Sequence, residues 1–408
     1  MRTRTGNHGF LRQQNLAGVL QRIYEDEPIS RIELSRRTGL NKATISSLVS
    51  DLVENKYVWE TGEVTDGRAG RREVMLELNP RRGCMISAEI GVGFISVICT
   101  DFTARIVWRS SEIPGSRDPR AVLDLAIKLM KTARREGEAI CGPLLGVAVG
   151  VPGLVDQKSG KLLIAPNLGW RDVDILDPLE KHFDVPVFID NEATFAALGE
   201  RYFGVARGHN NVLYISAGVG IGGGLIVEGR IYGGSGGFAS EFGHMTMDPG
   251  GIKCGCGNTG CWETQASQAA LFRYIREEIA AGKKTAIPKK DLKDLSVSGV
   301  VDAAAQGDEI AIAALQKTAN YLAVGIDSLV KAFDPEIIVF GGILSLAGEF
   351  LLPVFERVLA ADSMLDARRP APVVLAEFGS DAAAMGGIAR IFQSILAMPS
   401  LTERLTIN

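Results

Sequence analysis

Three cysteines and a histidine stand where they could close around a metal ion. Cys254, Cys256 and Cys261 fall within eight residues, and His244 precedes them in Glu241-Phe242-Gly243-His244. Thiolate and imidazole in this number are the donors of a closed tetrahedral Cys3His zinc site, so Zn2+ is the cofactor expected. Two carboxylates, Glu241 and Glu263, flank the cluster. A metal holding this segment would fix both at the rim of one pocket. That arrangement suits a polyhydroxylated small molecule better than a redox centre or a protease. The glycine-dense run Ala217-Gly-Val-Gly-Ile-Gly-Gly-Gly lies just upstream, and on its own it says only that a tight turn is built there.

The other three cysteines, Cys84, Cys99 and Cys141, sit in apolar surroundings and read as inert buried thiols. Clustering of Cys254, Cys256 and Cys261 favours metal over disulfide in a reducing compartment. No apolar run reaches eighteen residues, and the N-terminus MRTRTGNHGF lacks the apolar core of a secretion signal. A cytoplasmic protein with no membrane partner is expected. At 408 residues the chain is long enough for two or three domains.

Charge is uneven. Residues 1–82 carry 14 Lys and Arg against 11 Asp and Glu, whereas the remainder carries 30 against 37. The basic part is therefore N-terminal, where a nucleic-acid-binding module would place it. Leu16, Val19, Leu20, Ile23 and Tyr24 follow helical spacing up to the Glu25-Asp26-Glu27-Pro28 break. Ser30 and Glu33 predict a capping box opening a second helix through Arg37. After the Thr38-Gly39-Leu40 turn, Asn41 predicts the N-cap of a third helix with a buried stripe of Ile45, Leu48, Val49, Leu52 and Val53. Its other side presents Lys42, Ala43, Thr44, Ser47 and Ser50. Small polar side chains let a helix approach base edges in a major groove. Asn41, Lys42, Ala43, Thr44 and Ser47 are thus the candidate DNA contacts. Two predicted strands, Tyr57–Glu60 and Glu73–Leu78, flank the loop Thr61–Arg72, whose Arg68, Arg71 and Arg72 could enter a minor groove as a wing.

Beyond Asn79-Pro80 the pattern becomes strand-rich α/β. A strand–glycine turn–strand unit over Met85–Val107 recurs over Val212–Ile231, which implies a duplicated body. Leu145–Val151, Val187–Asp190 and Glu336–Phe340 read as further short buried strands ending in polar residues or glycine. Such strand ends are where α/β sheets bind ligands.

From Gly83 onward the chain resembles the ROK family (repressors, open reading frames, kinases), and residues 10–80 resemble that family's winged-helix arm. The motifs that carry the likeness are GVAVGVPGLVD (146–156), APNLGW (165–170), IDNEATFAALGE (189–200), GVGIGGGLIVEGRIYGGSGGFASEFGHM (218–245) and CGCGNTGCWE (254–263). The resemblance implies an α/β fold class: an N-terminal winged helix-turn-helix over 1–80, then two actin-like (ribonuclease-H-like) lobes. These lobes would be 81–205, joined by a C-terminal helix at 385–398, and 206–384. It maps zinc onto His244, Cys254, Cys256 and Cys261. A sugar maps onto Asn191, Glu241, His244 and Glu263, with Asn167, Gly153 and Glu192 beside them.

Family kinases carry Asp-x-Gly-x-Thr at the first hairpin and a catalytic aspartate in Asn-Asp-Ala. Here the hairpin reads Glu89-Ile90-Gly91-Val92-Gly93, and the base position is Glu192. The extra methylene displaces the carboxylate by roughly 1 Å, to which transfer chemistry is sensitive. No catalytic residue is assigned, and the expectation is not an enzyme. It is a sugar-responsive transcriptional repressor, of the xylose or glucose type, acting as a homodimer or homotetramer on palindromic operator DNA. The alternatives are an ATP-dependent sugar kinase with a DNA-binding arm, and a regulator that senses a transporter protein.

Overall fold

The computed structural model describes residues 8–64, 73–288, 294–361 and 371–399. Helix α1 (His8–Asp26) begins about two turns before the first expected apolar position, and buries Leu16, Val19, Leu20 and Ile23. Strand β1 (Ile29–Ser30) leads into α2 (Arg31–Thr38), and α3 (Lys42–Glu54) follows. Gly39 at φ 72° makes the left-handed stop of α2, a conformation that costs a Cβ-bearing residue energy. The side chain of Asn41 accepts the N–H of Thr44 at 2.9 Å and opens α3 as expected. The capping box at Ser30 is only half made. Ser30 Oγ accepts the N–H of Glu33 at 3.3 Å, but the carboxylate of Glu33 takes Nε of Arg36 and Nε of Arg37, both at 2.7 Å. Two guanidinium groups within one turn outcompete the neutral backbone N–H of Ser30 for that carboxylate.

Of the expected stripe on α3, Ile45, Leu48, Val49 and Leu52 are buried, while Val53 is half-buried. Strands β2 (Val58–Val64) and β3 (Glu73–Leu78) complete an antiparallel sheet in the order β1-β3-β2. Strand β2 runs four residues beyond the expected end, because an irregularity between Thr61 and Glu63 preserves its pairing. Arg68, Arg71 and Arg72 lie outside the described residues.

The body contains two five-stranded sheets of one design. The first is built from β4 (Cys84–Gly91), β5 (Phe94–Thr100) and β6 (Ile106–Glu112), then α4 (Pro119–Cys141) and β7 (Leu144–Val151). A small antiparallel meander of β8 (Leu154–Asp156), β9 (Lys161–Ala165) and β10 (Trp170–Asp174) follows, with α5 (Leu176–Glu180), β11 (Val187–Asn191) and α6 (Glu192–Tyr202) after it. The strand order is β11-β7-β4-β5-β6, with the β4–β5–β6 pairings antiparallel and the others parallel.

The second sheet repeats this with β12 (Val212–Ala217), β13 (Ile221–Val227) and β14 (Arg230–Ile231). Helices α7 (Glu263–Ala266), α8 (Gln268–Ala280), α9 (Val297–Ala305) and α10 (Glu309–Phe333) then lead to β15 (Ile337–Gly341). The chain closes with α11 (Gly348–Ala360), β16 (Val373–Leu375) and α12 (Ala382–Ala397). The order β14-β13-β12-β15-β16 matches the first sheet strand for strand. These are the two actin-like lobes. Helix α12 returns to pack on β4, β7 and α6.

Helix α6 lies against α12 on one side and against β12 and β13 on the other. Glycine makes both contacts possible. A Cβ at Gly222 would stand 2.8 Å from Cβ of Ala193, and one at Gly224 would stand 2.4 Å from Cβ of Ala197. A Cβ at Gly386 of α12 would lie 1.7 Å from the carbonyl oxygen of Phe195. Gly222, Gly223 and Gly224 belong to the strand β13, not to a turn, and their missing side chains are the space into which α6 and Phe242 fit.

Gly386→Ala is expected to lower stability by about 1–3 kcal/mol through overpacking against backbone. Gly18, exposed in mid-helix with nothing near its Cβ position, is the control. Gly18→Ala is expected to hold or raise the melting temperature, by up to about 1 kcal/mol of helix propensity. Thermal unfolding of the two variants checks both signs.

Candidate metal centre and ligand cleft

His244 and the cysteines are brought together by two backbone turns. Glu241 precedes a 3-10 turn, Phe242–His244, whose Phe242 ring is buried where Gly223 leaves room. The N–H of Gly257 bonds the carbonyl of Cys254 at 3.0 Å, and the N–H of Cys254 bonds the carbonyl of Asn258 at 2.8 Å, folding 254–258 into a tight loop. Bridges Thr246↔Cys261 and Lys253↔Thr259 lay this loop beside the His244 segment. Trp262 anchors the assembly: its ring is fully buried and its indole N–H donates to the carbonyl of Tyr321 at 2.8 Å.

The donor atoms of His244, Cys254, Cys256 and Cys261 all lie within 4.8 Å of one another. Cys254 Sγ is 3.7 Å from His244 Nδ1, and Cys256 Sγ is 3.7 Å from Cys261 Sγ. A tetrahedron with zinc–sulfur bonds of about 2.3 Å has edges of about 3.7 Å, so the group fits zinc. Burial pushes the thiols of Cys254 and Cys261 above the ordinary value, and neighbouring Glu263 and Cys256, respectively, raise them further. Thiolates in that setting need a cation to hold them ionised.

Nδ1 of His244 faces the thiols, so it is the nitrogen placed to bind metal. Its Nε2 points the other way, 3.9 Å from Glu241 Oε2. Glu263 stands on the metal side, with Oε1 2.8 Å from Cys254 Sγ and 3.7 Å from His244 Nδ1. Its Oε2 and Nδ2 of Asn167 converge on Gly220, where a Cβ would lie 2.7 Å and 3.4 Å from them. Burial raises the carboxyl of Glu241 above its usual value, against the pull of His244.

A cleft beside the cluster is lined by Gly153, Asp190, Asn191, Thr194, Gly222, Ser240 and Glu241, among others. Of the residues the sequence singled out for a ligand, Gly153, Asn191 and Glu241 line it directly. Asn167 Nδ2 and Glu263 Oε2 both lie near Gly220, and Glu192 Oε1 comes within 3.9 Å of a Cβ position at Gly222. Asn191 is largely committed to the fold. Its Oδ1 caps α6 by accepting the N–H groups of Ala193 at 2.8 Å and Thr194 at 3.3 Å, and its Nδ2 donates to the carbonyl of Gly153 at 3.0 Å. One amide hydrogen is left for a ligand.

Asp190 and Ser240 line the cleft and were missed in the sequence. Asp190 accepts from Gln157 Nε2 at 2.7 Å and from the N–H of Asn191 at 2.8 Å, and burial pushes its carboxyl up to about 6. Its place at the carboxyl end of a buried strand was the signal available. Ser240 adopts φ 75° with a buried hydroxyl that has no partner, and nothing local in the sequence marks it.

Glu192 is the most perturbed acid here. Burial pushes its carboxyl up to about 8, with Glu89, Glu241 and Asp190 adding to the effect, and Oε2 has no hydrogen-bond partner. Glu89 is itself pushed up to about 7 by burial and by Asp381. No lysine or arginine is among the described residues lining the cleft. The site therefore offers acceptors and protonated carboxyls, which suit hydroxyl groups.

On the N-terminal module, Asn41, Lys42, Ala43 and Ser47 are exposed on α3 and Thr44 is half-buried. Arg12 of α1 reaches across this face to Asp51 and to the hydroxyl of Ser47. Ser47 is thus engaged within the module, a contact that the sequence did not reveal.

Comparison with known proteins places this architecture. Residues 85–394 match the ROK family. The xylose repressor of Caldicellulosiruptor bescii is 32% identical over 396 residues, covering 97% of this chain and 99% of the relative. Among solved structures, a ROK family transcriptional regulator, a homologue of the Escherichia coli MLC protein, superposes with a TM-score of 0.81 at 28% identity, over 95% of this chain and 97% of that one. A ROK family glucokinase from Streptomyces griseus, in complex with glucose and AMPPNP, gives 0.65 at 30% identity, over 75% of this chain and 98% of the kinase.

Cys256→Ser is expected to reduce bound zinc from near one ion per chain to near none by elemental analysis; unchanged metal content would refute the ligand set. The pH response of Glu192 is a second expected outcome. Its folded-state value lies above the ordinary 4.5, so its contribution to stability is full below that value and is lost as pH rises through about 8. Glu192→Gln is therefore expected to raise the melting temperature by about 2–4 °C at pH 8 and to leave it unchanged at pH 4.5. Melting curves at the two pH values check the sign.

Proposed function

This chain belongs to the ROK family, and on that premise we propose that it is a sugar-responsive transcriptional repressor of carbohydrate metabolism, of the xylose or glucose type. The observation that carries the reading is the union, in one chain, of a capped helix with an exposed polar face and an acid-lined cleft beside a Cys3His cluster. The match to a xylose repressor over nearly the whole of both chains supports it.

In this reading residues 1–80 form the DNA-binding unit. The bodies are 81–205 with the C-terminal helix, and 206–384. Two copies in a homodimer, or in a homotetramer of such pairs, would set two α3 helices over a palindromic operator in the cytoplasm. Asn41, Lys42, Ala43, Thr44 and Ser47 face the major groove, and Arg68, Arg71 and Arg72 of the wing reach the minor groove. In the cleft, Glu241, Glu263 and Asn167 take sugar hydroxyls. Asn191 donates its remaining amide hydrogen, Gly153 lines the cleft, and Glu192 donates through its protonated carboxyl. Zinc bound at His244, Cys254, Cys256 and Cys261 supplies structure: it fixes the imidazole so that Nε2 faces Glu241 and the ligand.

The match to a glucokinase over three quarters of this chain makes a sugar kinase with a DNA-binding arm the second reading. Two features stand against it. Glu89 occupies the place of the phosphate-loop aspartate, and no lysine or arginine is among the described residues lining the cleft. A triphosphate would find no cation among those residues to offset its charge.

Isothermal titration of zinc-loaded protein with D-xylose and D-glucose, run beside a coupled ATP-turnover assay, tests the proposal. Binding of a sugar without turnover is expected, and Glu241→Gln is expected to weaken that binding at least about tenfold, the cost of one hydrogen bond to a charged group. Turnover abolished by Glu192→Ala would make the protein a kinase.

A further inference from the structure

We propose that α6 is the mechanical link between the cleft and the DNA-binding module, and that Tyr24 and Arg207 form the joint through which it acts. The inference rests on the repressor reading above and names how its site is regulated.

The two ends of α6 serve different places. At its head, Asn191 caps the helix, Asn191 and Thr194 line the cleft, and Glu192 lies beside it. Eleven residues later, or about 16 Å away, its tail meets α1. The hydroxyl of Tyr24 donates to the carbonyl oxygen of Tyr202, and the two rings stack with centroids 6.0 Å apart. Tyr24 also packs edge-on against Phe392 of α12 at 4.9 Å, and Phe203 contacts the same ring at 5.5 Å. Arg207 clamps the joint: its guanidinium donates to the carbonyl of Tyr24 at 2.9 Å and lies 5.0 Å over the Tyr24 ring.

A buried acid holds the tail in place. Glu200 is fully buried in the last turn of α6, and its carboxylate accepts backbone N–H groups of Val205 at 3.1 Å, Glu377 at 2.9 Å and Phe378 at 3.3 Å. It ties α6 to the loop that carries Arg207 and to the segment entering α12. The helix therefore cannot shift at its head without loading Tyr24.

On the far side, α1 packs directly on α2 and α3, and Leu16, Val19 and Leu20 share one apolar core with Ile45, Leu48 and Leu52. Displacement of the C-terminal end of α1 moves α3 with it. Because interdigitated cores switch between packings and do not deform continuously, a small shift of α6 is enough to re-aim α3.

The test uses full-length, zinc-loaded protein and a duplex selected by this protein from a random pool. Operator affinity is measured by fluorescence anisotropy with and without saturating D-xylose or D-glucose, and the ratio of the two is the coupling. The wild type is expected to show a ratio of about fivefold or more in either direction. Tyr24→Phe keeps the ring and removes the bond to Tyr202; Arg207→Ala removes the clamp. Combined, they are expected to bring the ratio to within about twofold of unity, while sugar affinity, sugar-free operator affinity and melting temperature stay near wild type. Gln13→Ala, which removes a separate contact of α1 with the carbonyl of Pro399, is expected to leave the ratio intact. A wild-type ratio that survives in the double variant overturns the joint alone. A wild-type ratio of one, despite measurable sugar binding, overturns the repressor reading and the joint together.

Discussion

Helix α6 lies closer to strand β13 and to α12 than any Cβ at Gly222, Gly224 or Gly386 would permit, and the rest of the molecule is arranged around that closeness. Dispersion falls off steeply with separation, so a helix seated on bare backbone gains contacts along its whole length. It also loses the freedom to drift. The strand that receives α6 is the one that leads into the loop bearing Glu241 and His244, so the cleft, the metal cluster and the helix share one rigid reference.

The cleft shows how chemistry is selected by what is absent from its walls. Carboxyl groups of Glu89, Asp190 and Glu192 are all raised by burial, and no lysine or arginine is among the described residues lining the cleft. Protonated carboxyls keep both donor and acceptor character, which matches a ring of hydroxyls. Glu263 touches Cys254 with one oxygen, and its other oxygen lies near Gly220, as does Asn167 Nδ2. In the proposed function, loss of zinc would be felt by a bound sugar through Glu263 and through the orientation of His244.

Much of this was legible in the residues. Cys254, Cys256 and Cys261 announce themselves by spacing, Asn41 and Gly39 by their conformational preferences, and the strand–turn–strand repeat by its periodicity. What escaped was long-range or competitive. Glu33 was free to complete a capping box until Arg36 and Arg37 claimed its carboxylate. Asn191 resembled a ligand residue, and its oxygen turned out to be spent on capping α6. The glycines of β13 read as a turn because sequence alone does not show which helix will press on a strand. Tyr24 was legible as a core residue of α1, whereas its partners Tyr202 and Phe392 lie far along the chain, a pairing that only the fold creates.

In the proposed function, occupation of the cleft changes the hold of the N-terminal module on DNA. Operator binding by the intact wild-type protein, titrated in the presence and absence of a sugar that calorimetry shows to bind, tests it most directly. Two separated curves, displaced about fivefold or more, are expected. Superimposed curves at saturating sugar would contradict it.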